Sequence, residues 1–439
     1  MNKRIVSIII VCLMLISITT VFGKSKSDYG REVLQPNDGW GAYSTGTTGG
    51  SAASADQVFS VSSRAELIQA LGGDNTTNKT NVAPKIIYVD GPIDLNADDD
   101  NNPAGPDYYS DPEYDFQTYL AQYDPLVWGN VKVSGPLEDA RKRSQTSQKN
   151  RILINIGSNT TIIGREDAKI TGGGLRIDNA HNVIIRNIEF EAPVDFFPLW
   201  DPTDGAGNWN SEYDSIEITN GSTHVWIDHN TFSDGDHPDS ASGSYFGRPF
   251  QQHDGLLDIK NASDFVTVSY NLFQDHDKVS IIGSSDSRTT DRGHLKVTYH
   301  HNHFKNLGQR LPRVRFGEVH VYNNYYEFEK DSEYEFVYAL GVGIESKIYA
   351  ENNYFRFDWD IDPAKILGLY KGTSIYETGS FLNGSSRHDK ADLVAAFNSA
   401  NSIQLSTDAG WKPVLHGKID PTQSVPAQVQ TKAGAGRLN

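Results

Sequence analysis

The sequence contains a single cysteine, Cys12, and it lies in the one long apolar run of the chain, residues 5–23. The run follows two basic residues and ends in small residues near Gly23, a pattern typical of a cleaved secretory signal peptide at 1–23. An uncleaved membrane anchor is the alternative, because about 19 apolar residues nearly span a bilayer. We expect cleavage, secretion to the extracellular space and no membrane contact afterwards. The mature domain, 24–439, then has no cysteine and no disulfide.

Positive charge is also scarce. The formal net charge is −17, and loss of the signal peptide, which carries two basic and no acidic residues, makes it −19. Such a charge argues against nucleic acid as a partner. The stretch RLPRVRF is the exception, because it places Arg310, Arg313 and Arg315 within six residues. Clustered arginines favour an anionic ligand, and a solvated basic patch paired with local acids is the alternative.

The first part of the mature chain shows no repeat. Residues 39–55 are small, polar and glycine-rich, as in a linker. Residues 96–130 are predicted to be a surface insert, and we favour a solvated loop over a metal site for its acidic run Asp98–Asp100. Short elements are predicted around these loops: strands at 58–61 and 86–89, a helix at 63–71 that begins with a capping box of Ser63 and Glu66, and a helix at 138–150.

From about residue 150 to 360 one motif recurs: alternating apolar residues, an asparagine, one further residue and an aromatic. The repeated asparagines are Asn230, Asn271, Asn302, Asn324 and Asn353, and the aromatics are Phe190, Phe232, Phe273, Phe304, Tyr326 and Phe355. The aromatics advance by 42, 41, 31, 22 and 29 residues. A constant motif with a variable period indicates stacked coils with insertions on one side.

This repeat predicts an all-β protein, a right-handed single-stranded parallel β-helix. A spacing of 22 residues leaves no room for the crossover helix of a doubly wound fold. The asparagines would form a ladder of amide hydrogen bonds, and the aromatics would stack beside it. After Phe357 the repeat stops, so residues 361–439 are predicted to form a tail packed on the coils, with a short helix near 391–399 and an amphipathic stretch at 425–435.

Carboxylates from separate coils suggest a cation site. Glu212, Asp214, Asp254 and Asp258 would suit a hard cation such as Ca²⁺. Taken one at a time, an ordinary acid at a turn or strand end is the favoured interpretation of each. Positions four apart on a strand are roughly 13 Å apart, too far to share one ion. We therefore expect a bend at Gly255 that brings Asp254 and Asp258 together.

Four motifs carry a resemblance to a known family. VWIDH at 225–229, HDGLLDIK at 253–260, DKVSIIGSSDS at 277–287 and RLPRVRFG at 310–317 are similar, in this order, to the extracellular pectate lyases of polysaccharide lyase family 1. The resemblance covers nearly all of the mature chain and is weakest over 96–130. It implies a right-handed parallel β-helix and calcium-dependent β-elimination of polygalacturonate.

The resemblance also implies roles for individual residues, namely those that match positions in the family's motifs. It implies that Ca²⁺ is held by Asp214, Asp254 and Asp258, with Glu212 recruited for further ions; that Lys278 and Arg315 bind the substrate carboxylate; and that Arg310 is the base. Arg313 matches no family position of known role. Since the free pKa of arginine is above 12, we expect an alkaline activity optimum, and Lys278 is the alternative base.

Other functions stay open at this stage. A pectin lyase would act on methylated pectin without calcium, and the three aspartates argue against it. A glycoside hydrolase would need a pair of carboxyl groups that flank the bond, and a non-catalytic polysaccharide-binding β-helix would need no such cluster of cations and acids. We expect a monomer.

Two histidine motifs carry weaker predictions. Asp228 and His229 are expected to serve a structural, hydrogen-bonded role. His300, His301 and His303 could form a transition-metal site, but stacked histidines on a strand are the favoured interpretation.

Overall fold

The structure, a computed structural model, describes residues 28–384 and 386–438. The predicted signal peptide and Cys12 lie outside the described residues. Within those ranges, no helix is both long and apolar enough to cross a membrane.

Three parallel sheets build the molecule, and the chain passes through them in a fixed cycle. Sheet I has ten strands: Val58–Val61, Lys85–Val89, Thr160–Gly164, His181–Arg186, Thr223–Asp228, Asp264–Ser269, Val297–His300, Glu318–Tyr322, Lys347–Glu351 and Ile375–Thr378. Sheet II has nine: Pro92–Asp94, Lys169–Thr171, Glu189–Glu191, Thr231–Ser233, Leu272–Lys278, His303–Gln309, Tyr325–Phe328, Tyr354–Phe357 and Phe381–Leu382. Sheet III has eight: Leu153–Ile156, Gly174–Asp178, Ile216–Thr219, Leu257–Ile259, Ile281–Ile282, Arg313–Val314, Leu340–Gly343 and Leu367–Tyr370. Each coil runs from sheet III to sheet I to sheet II, which is a parallel β-helix.

Helices and hairpins lie outside the coils. The α-helices are α1 (Arg64–Leu71), α2 (Phe116–Tyr123), α3 (Pro125–Trp128), α4 (Pro136–Ile152), α5 (Leu393–Ala400) and α6 (Val425–Lys432). Short 3₁₀ turns occur at Tyr29–Arg31, Trp40–Ala42, Ala55–Gln57, Asn78–Thr80, Pro106–Tyr108, Asp239–Ser242, Thr289–Asp291, Pro363–Ile366, Arg387–Asp389 and Thr422–Ser424. Two antiparallel hairpins pair Leu199–Asp201 with Asn208–Asn210 and Ser244–Tyr245 with Arg248–Pro249.

The predicted ladders form the core of the coils. The Nδ2 of Asn230 donates to the Oδ1 of Asn271 at 3.1 Å, and the same bond repeats through Asn302, Asn324 and Asn353 at 3.0–3.1 Å. The aromatics stack in a buried column with ring centroids 4.4–5.2 Å apart. Both predictions are confirmed, because each coil must pair these buried groups with the coil above it.

Three local expectations need correction. Residues 39–55 are not a free linker: Trp40 and Gly41 donate backbone N–H bonds to the hydroxyls of Thr298 and Thr267 at 3.0 and 2.9 Å, which anchors the segment on sheet I. The rhythm does not stop after Phe357, because strands 367–370, 375–378 and 381–382 complete one further coil. The insert also contains helices, α2 and α3.

The start of α1 differs in one detail from the predicted capping box. The Ser63 hydroxyl accepts from Glu66 N at 3.2 Å as expected. The Glu66 carboxylate, however, accepts from the backbone N–H of Ser62 rather than that of Ser63.

The long connections leave sheet II and enter sheet III, so they rise along one edge of sheet III. They include residues 95–152, 192–215 and 234–256. One aromatic cluster ties these three together, formed by Tyr119, Tyr123, Trp200, Trp209 and Phe250. The tail covers other surfaces, as predicted: α6 buries Val425 and Val429 against Tyr325 of sheet II. The three connections therefore pack against one another where the chain enters sheet III.

Candidate active site

Two aspartates meet at a glycine where neighbouring coils enter sheet III. The Oδ1 of Asp214 accepts from Gly255 N at 3.1 Å, and the Oδ1 of Asp258 accepts from Ile281 N at 2.9 Å. A Cβ atom at Gly255 would lie 2.6 Å from Asp214 Oδ1 and 2.8 Å from Asp258 Oδ1. Both oxygens therefore point to one small space, and it exists because residue 255 has no side chain.

The crowding of these two acids affects their pKa values. Burial, together with the neighbouring Asp258 carboxylate, raises the pKa of Asp214 well above its ordinary value. Burial and Asp254 likewise raise the pKa of Asp258. Crowded, buried carboxylates with raised pKa values are typical of functional sites that bind a cation.

Lys260 places a positive charge beside these carboxylates, a role that the sequence prediction overlooked. Its Nζ lies 3.0 Å from Asp214 Oδ2, 3.4 Å from Asp258 Oδ2 and 3.4 Å from Glu217 Oε1. Burial opposes its charge, but the three carboxylates outweigh burial and hold the pKa of Lys260 well above its usual range. The signal was present in the motif DIK, where Lys260 follows Asp258 by two residues and so shares its face of the strand.

Asp254 faces two cations. Its Oδ1 lies 3.6 Å from Lys278 Nζ and 3.9 Å from Arg310 Nη1. Burial acts to raise the pKa of Asp254, but Lys278 and Arg310 outweigh it, so the pKa lies below its ordinary value. Burial acts to lower the pKa of Arg310, yet Asp254 and Asp258 raise it overall. The buried Nε of Arg310 has no hydrogen-bond partner.

A buried histidine supports this arrangement from behind. His276 Nδ1 donates to Asp234 Oδ1 at 2.5 Å, and Nε2 donates to the carbonyl of Asp254 at 2.9 Å. Both acceptors can only accept, so both ring nitrogens carry protons. Burial would lower the pKa of His276, but Asp234 outweighs it and raises the pKa to about 9. Sequence analysis missed this residue, because the partner Asp234 lies on another coil.

The remaining predicted site residues lie around this centre. Arg315 is paired with Asp286, with Nε 2.7 Å from Oδ1, and its Nη1 donates to the Gly283 carbonyl at 2.8 Å. Glu212 is half-exposed and pairs with Lys149 of α4 at 3.1 Å. The structure thus joins Asp214, Asp254, Asp258, Lys278 and Arg310 in one site, whereas Glu212 and Arg315 each bind a partner of their own.

The carboxylate oxygens of this site are the right type of ligand for a hard cation, but they are not arranged around a single point. Asp214 and Asp258 offer carboxylate oxygens, the ligands that Ca²⁺ prefers. The carboxylates that meet at Gly255 are Asp214 and Asp258, whereas the expected pair was Asp254 and Asp258. Asp254 instead faces Lys278 and Arg310. Across residues 28–384 and 386–438, no three acidic or histidine side chains already stand at metal-binding geometry.

The two histidine motifs lie where strands of sheet I end and strands of sheet II begin, and their contacts are those of structural residues. Asp228 is buried and accepts hydrogen bonds from Arg186 Nε at 2.8 Å and Ser269 Oγ at 2.6 Å, and from His229 Nδ1 at 2.7 Å. His300, His301 and His303 stack on Tyr322, Tyr270 and Tyr325 with centroids 4.9–5.0 Å apart. Burial lowers the pKa of His300 to about 3 and of His301 to about 4.

Comparison with known proteins finds the same family in sequence and structure. A family model described as pectate lyase matches residues 126–414. A pectate lyase of Bacillus subtilis strain 168 is 51% identical over 424 residues, which cover 96% of this chain and 97% of the relative. Pectate lyase E of Dickeya chrysanthemi is 34% identical over 443 residues, which cover 100% of this chain and 95% of that protein.

Solved structures agree. A thermostable pectate lyase superposes with a TM-score of 0.91 at 62% identity, over 93% of this chain and 99% of its own. A pectate lyase bound to a hexasaccharide superposes with a TM-score of 0.88 at 51% identity, over 94% of this chain and 100% of its own. The predicted fold class, a right-handed parallel β-helix, is confirmed.

Proposed function

The chain belongs to the pectate lyase family and is a polysaccharide lyase, and from this premise we propose calcium-dependent cleavage of de-esterified polygalacturonate by β-elimination, with 4,5-unsaturated oligogalacturonates as products. We further propose that the mature enzyme is secreted and works as a monomer. One observation carries the proposal: the side chains of Lys278 and Arg310 both lie close to Asp254 Oδ1, beside the crowded pair Asp214 and Asp258.

Asp214, Asp254 and Asp258 are the residues proposed to hold Ca²⁺, and Glu212 is proposed to help hold further ions that arrive with substrate. A bound calcium ion would withdraw charge from the uronate carboxylate and so acidify the proton on C5. Lys278 and Arg315 would bind the same carboxylate and stabilise the charge that develops on it. Arg315 must leave Asp286, or share it, to do so.

Arg310 is the proposed base. Its guanidine would accept the C5 proton, and the electron pair of the C5–H bond would form the C4–C5 double bond. The C4–O bond would break with its electron pair leaving on the glycosidic oxygen, which would take a proton from water. In the structure the neighbouring acids raise the pKa of Arg310, so a neutral guanidine requires that the charge of these acids be offset. This dependence links the base to the cation site and predicts the alkaline optimum.

The three alternative functions lack support from the site. A pectin lyase acts on a neutral ester and has no use for the crowded pair Asp214 and Asp258. A glycoside hydrolase needs two carboxyl groups flanking the bond, whereas Asp254 is paired with cations. A polysaccharide-binding protein would have no use for Arg310, a buried guanidinium whose Nε is unpaired.

Digestion of polygalacturonate with and without chelator tests the proposal. We expect ultraviolet absorbance from the unsaturated product, lost with chelator and restored by Ca²⁺. Reducing ends without absorbance would mean hydrolysis, absorbance that persists with chelator and increases on methylated pectin would mean a pectin lyase, and neither signal would leave a binding protein.

A conservative variant tests the base. Arg310→Lys should lower kcat by at least ~100-fold while the calcium titration midpoint stays unchanged. Arg165→Lys is the matched control, because Arg165 is an exposed arginine paired with Asp90 away from the site. Full activity of Arg310→Lys would exclude Arg310 as base and favour Lys278.

A further inference from the structure

Arg313 is a cation without an anion. It is half-buried in sheet III, and its Nε is buried without a hydrogen-bond partner. Among the described residues, no carboxylate lies within 4.0 Å of its guanidinium, whereas Arg315 two residues later is paired with Asp286. Partial burial of a guanidinium that has no acid partner costs free energy, and a bound anionic ligand would offset that cost.

The side chain is held in place by its neighbours. Its Cζ lies 3.8 Å from the ring centroid of Tyr370, a close cation–π contact. A Cβ at Gly341 would lie 2.9 Å from both Cβ and Cγ of Arg313 and 2.8 Å from the ring of Tyr338. Gly341 therefore leaves the space through which the Arg313 side chain reaches, and the guanidinium is preorganised rather than free in solvent.

Arg310 and Arg313 point in opposite directions along the coil stack. Both belong to the coil of strand 313–314, and Arg310 reaches back to Asp254, beside strand 257–259. Arg313 reaches forward across Gly341 to Tyr370 on the last strand of sheet III. Adjacent strands are ~4.8 Å apart, so the two guanidinium groups serve different positions along any polymer that lies across the strands.

We propose that Arg313, positioned by Tyr370, binds the carboxylate of a galacturonate residue beyond the reaction position, on the side of strand 367–370. This inference rests on the proposed polygalacturonate substrate, whose every residue carries one carboxylate. The planar guanidinium, with one face on Tyr370, presents its N–H edge for bidentate binding of a carboxylate. Arg313 acts on substrate affinity and takes no part in the proton transfer.

Kinetics on substrates of two lengths test the proposal. Arg313→Gln should raise KM for polygalacturonate ~10-fold, the scale of one charge-assisted contact, with kcat within about twofold. The effect on trigalacturonate should be smaller, and Arg313→Lys should recover part of the affinity. Arg165→Gln is the matched control, because Arg165 also lies over a tyrosine, 4.1 Å from the ring centroid of Tyr88.

Equilibrium binding separates this inference from the proposed function. Hexagalacturonate is titrated by calorimetry in the presence of Ca²⁺ into Arg310→Lys, with and without Arg313→Gln. Weaker binding in the double variant supports Arg313 even if the wild type forms no unsaturated product. An unchanged KM and binding constant, or a lower kcat at unchanged KM, would overturn it. If Arg313→Gln does not fold, Tyr370→Leu should raise KM ~3-fold by releasing the guanidinium.

Discussion

Gly255 provides the sharpest test of the cation site. In Gly255→Ala the added Cβ would lie 2.6 Å from Asp214 Oδ1 and 2.8 Å from Asp258 Oδ1. Contacts of a Cβ atom below 3.0 Å force a shift, so the Asp214 oxygen must move by ~0.4 Å and the Asp258 oxygen by ~0.2 Å, the differences between 3.0 Å and the two distances. Metal–ligand distances tolerate about 0.2 Å. The substitution should therefore weaken Ca²⁺ binding by at least ~10- to 100-fold, or ~1.4–2.7 kcal/mol.

The assay is a calcium titration by calorimetry, repeated as a thermal unfolding series in increasing Ca²⁺. The midpoint of the Gly255→Ala titration should lie at 10- to 100-fold higher calcium, and activity should return at saturation. Gly105→Ala is the matched control, because Gly105 has φ of −90° and no atom within 4 Å of its added Cβ. Equal midpoints for wild type and Gly255→Ala would show that Asp214 and Asp258 do not hold calcium together.

Three further predictions concern stability, each measured as the free energy of unfolding in urea. In chelator, Lys260→Gln should lose ~2–4 kcal/mol, because it leaves buried carboxylates unpaired, whereas Lys347→Gln, which breaks an exposed pair, should lose less than ~1 kcal/mol. Asn302→Ala should lose ~2–4 kcal/mol, because it breaks the buried ladder. Burial lowers the pKa of His300 to about 3, so stability should fall as the pH drops below 6.5, because the unfolded chain binds a proton that the folded protein does not. His300→Gln should abolish the ~2 kcal/mol that this group loses between pH 6.5 and 4.5.

Each of the three stability predictions would be contradicted by a specific result. Equal losses for the two lysine variants would mean that Lys260 is solvated rather than held by the acids. A loss below ~0.5 kcal/mol for Asn302→Ala would mean that water replaces the ladder at no cost. A wild-type pH slope that persists unchanged in His300→Gln would assign acid sensitivity to other groups.

Short-range pattern was enough to predict the coils. Asn302 and Phe304 recur in register with Asn271 and Phe273, because each coil must bury the same two side chains at the same place. The coil after Phe357 was not predicted, because the prediction depended on this motif. Its strands 367–370, 375–378 and 381–382 lack the motif, and only their pairing with the preceding coil defines them.

Segments without a repeat depended on distant partners. Residues 39–55 have the composition of a linker, and only the hydroxyls of Thr267 and Thr298 on two later coils hold them in place. The helices α2 and α3 are likewise held by aromatic residues of other loops, Trp200 and Trp209 among them. The local sequence of these segments does not indicate which distant residues they will contact.

The sequence by itself determined the repeat, the family resemblance and the identities of Asp214, Asp254, Asp258, Lys278 and Arg310. It could do so because stacking forces a visible period and because motifs are local. Tertiary structure alone decided which of these groups touch. It showed that Asp214 meets Asp258 over Gly255 and that Lys260 and His276 belong to the site. It also showed that Arg315 is paired with an acid, whereas Arg313 has none among the residues that the structure describes. These facts depend on which strand ends lie side by side, and residues from different coils acquire that proximity only when the coils stack.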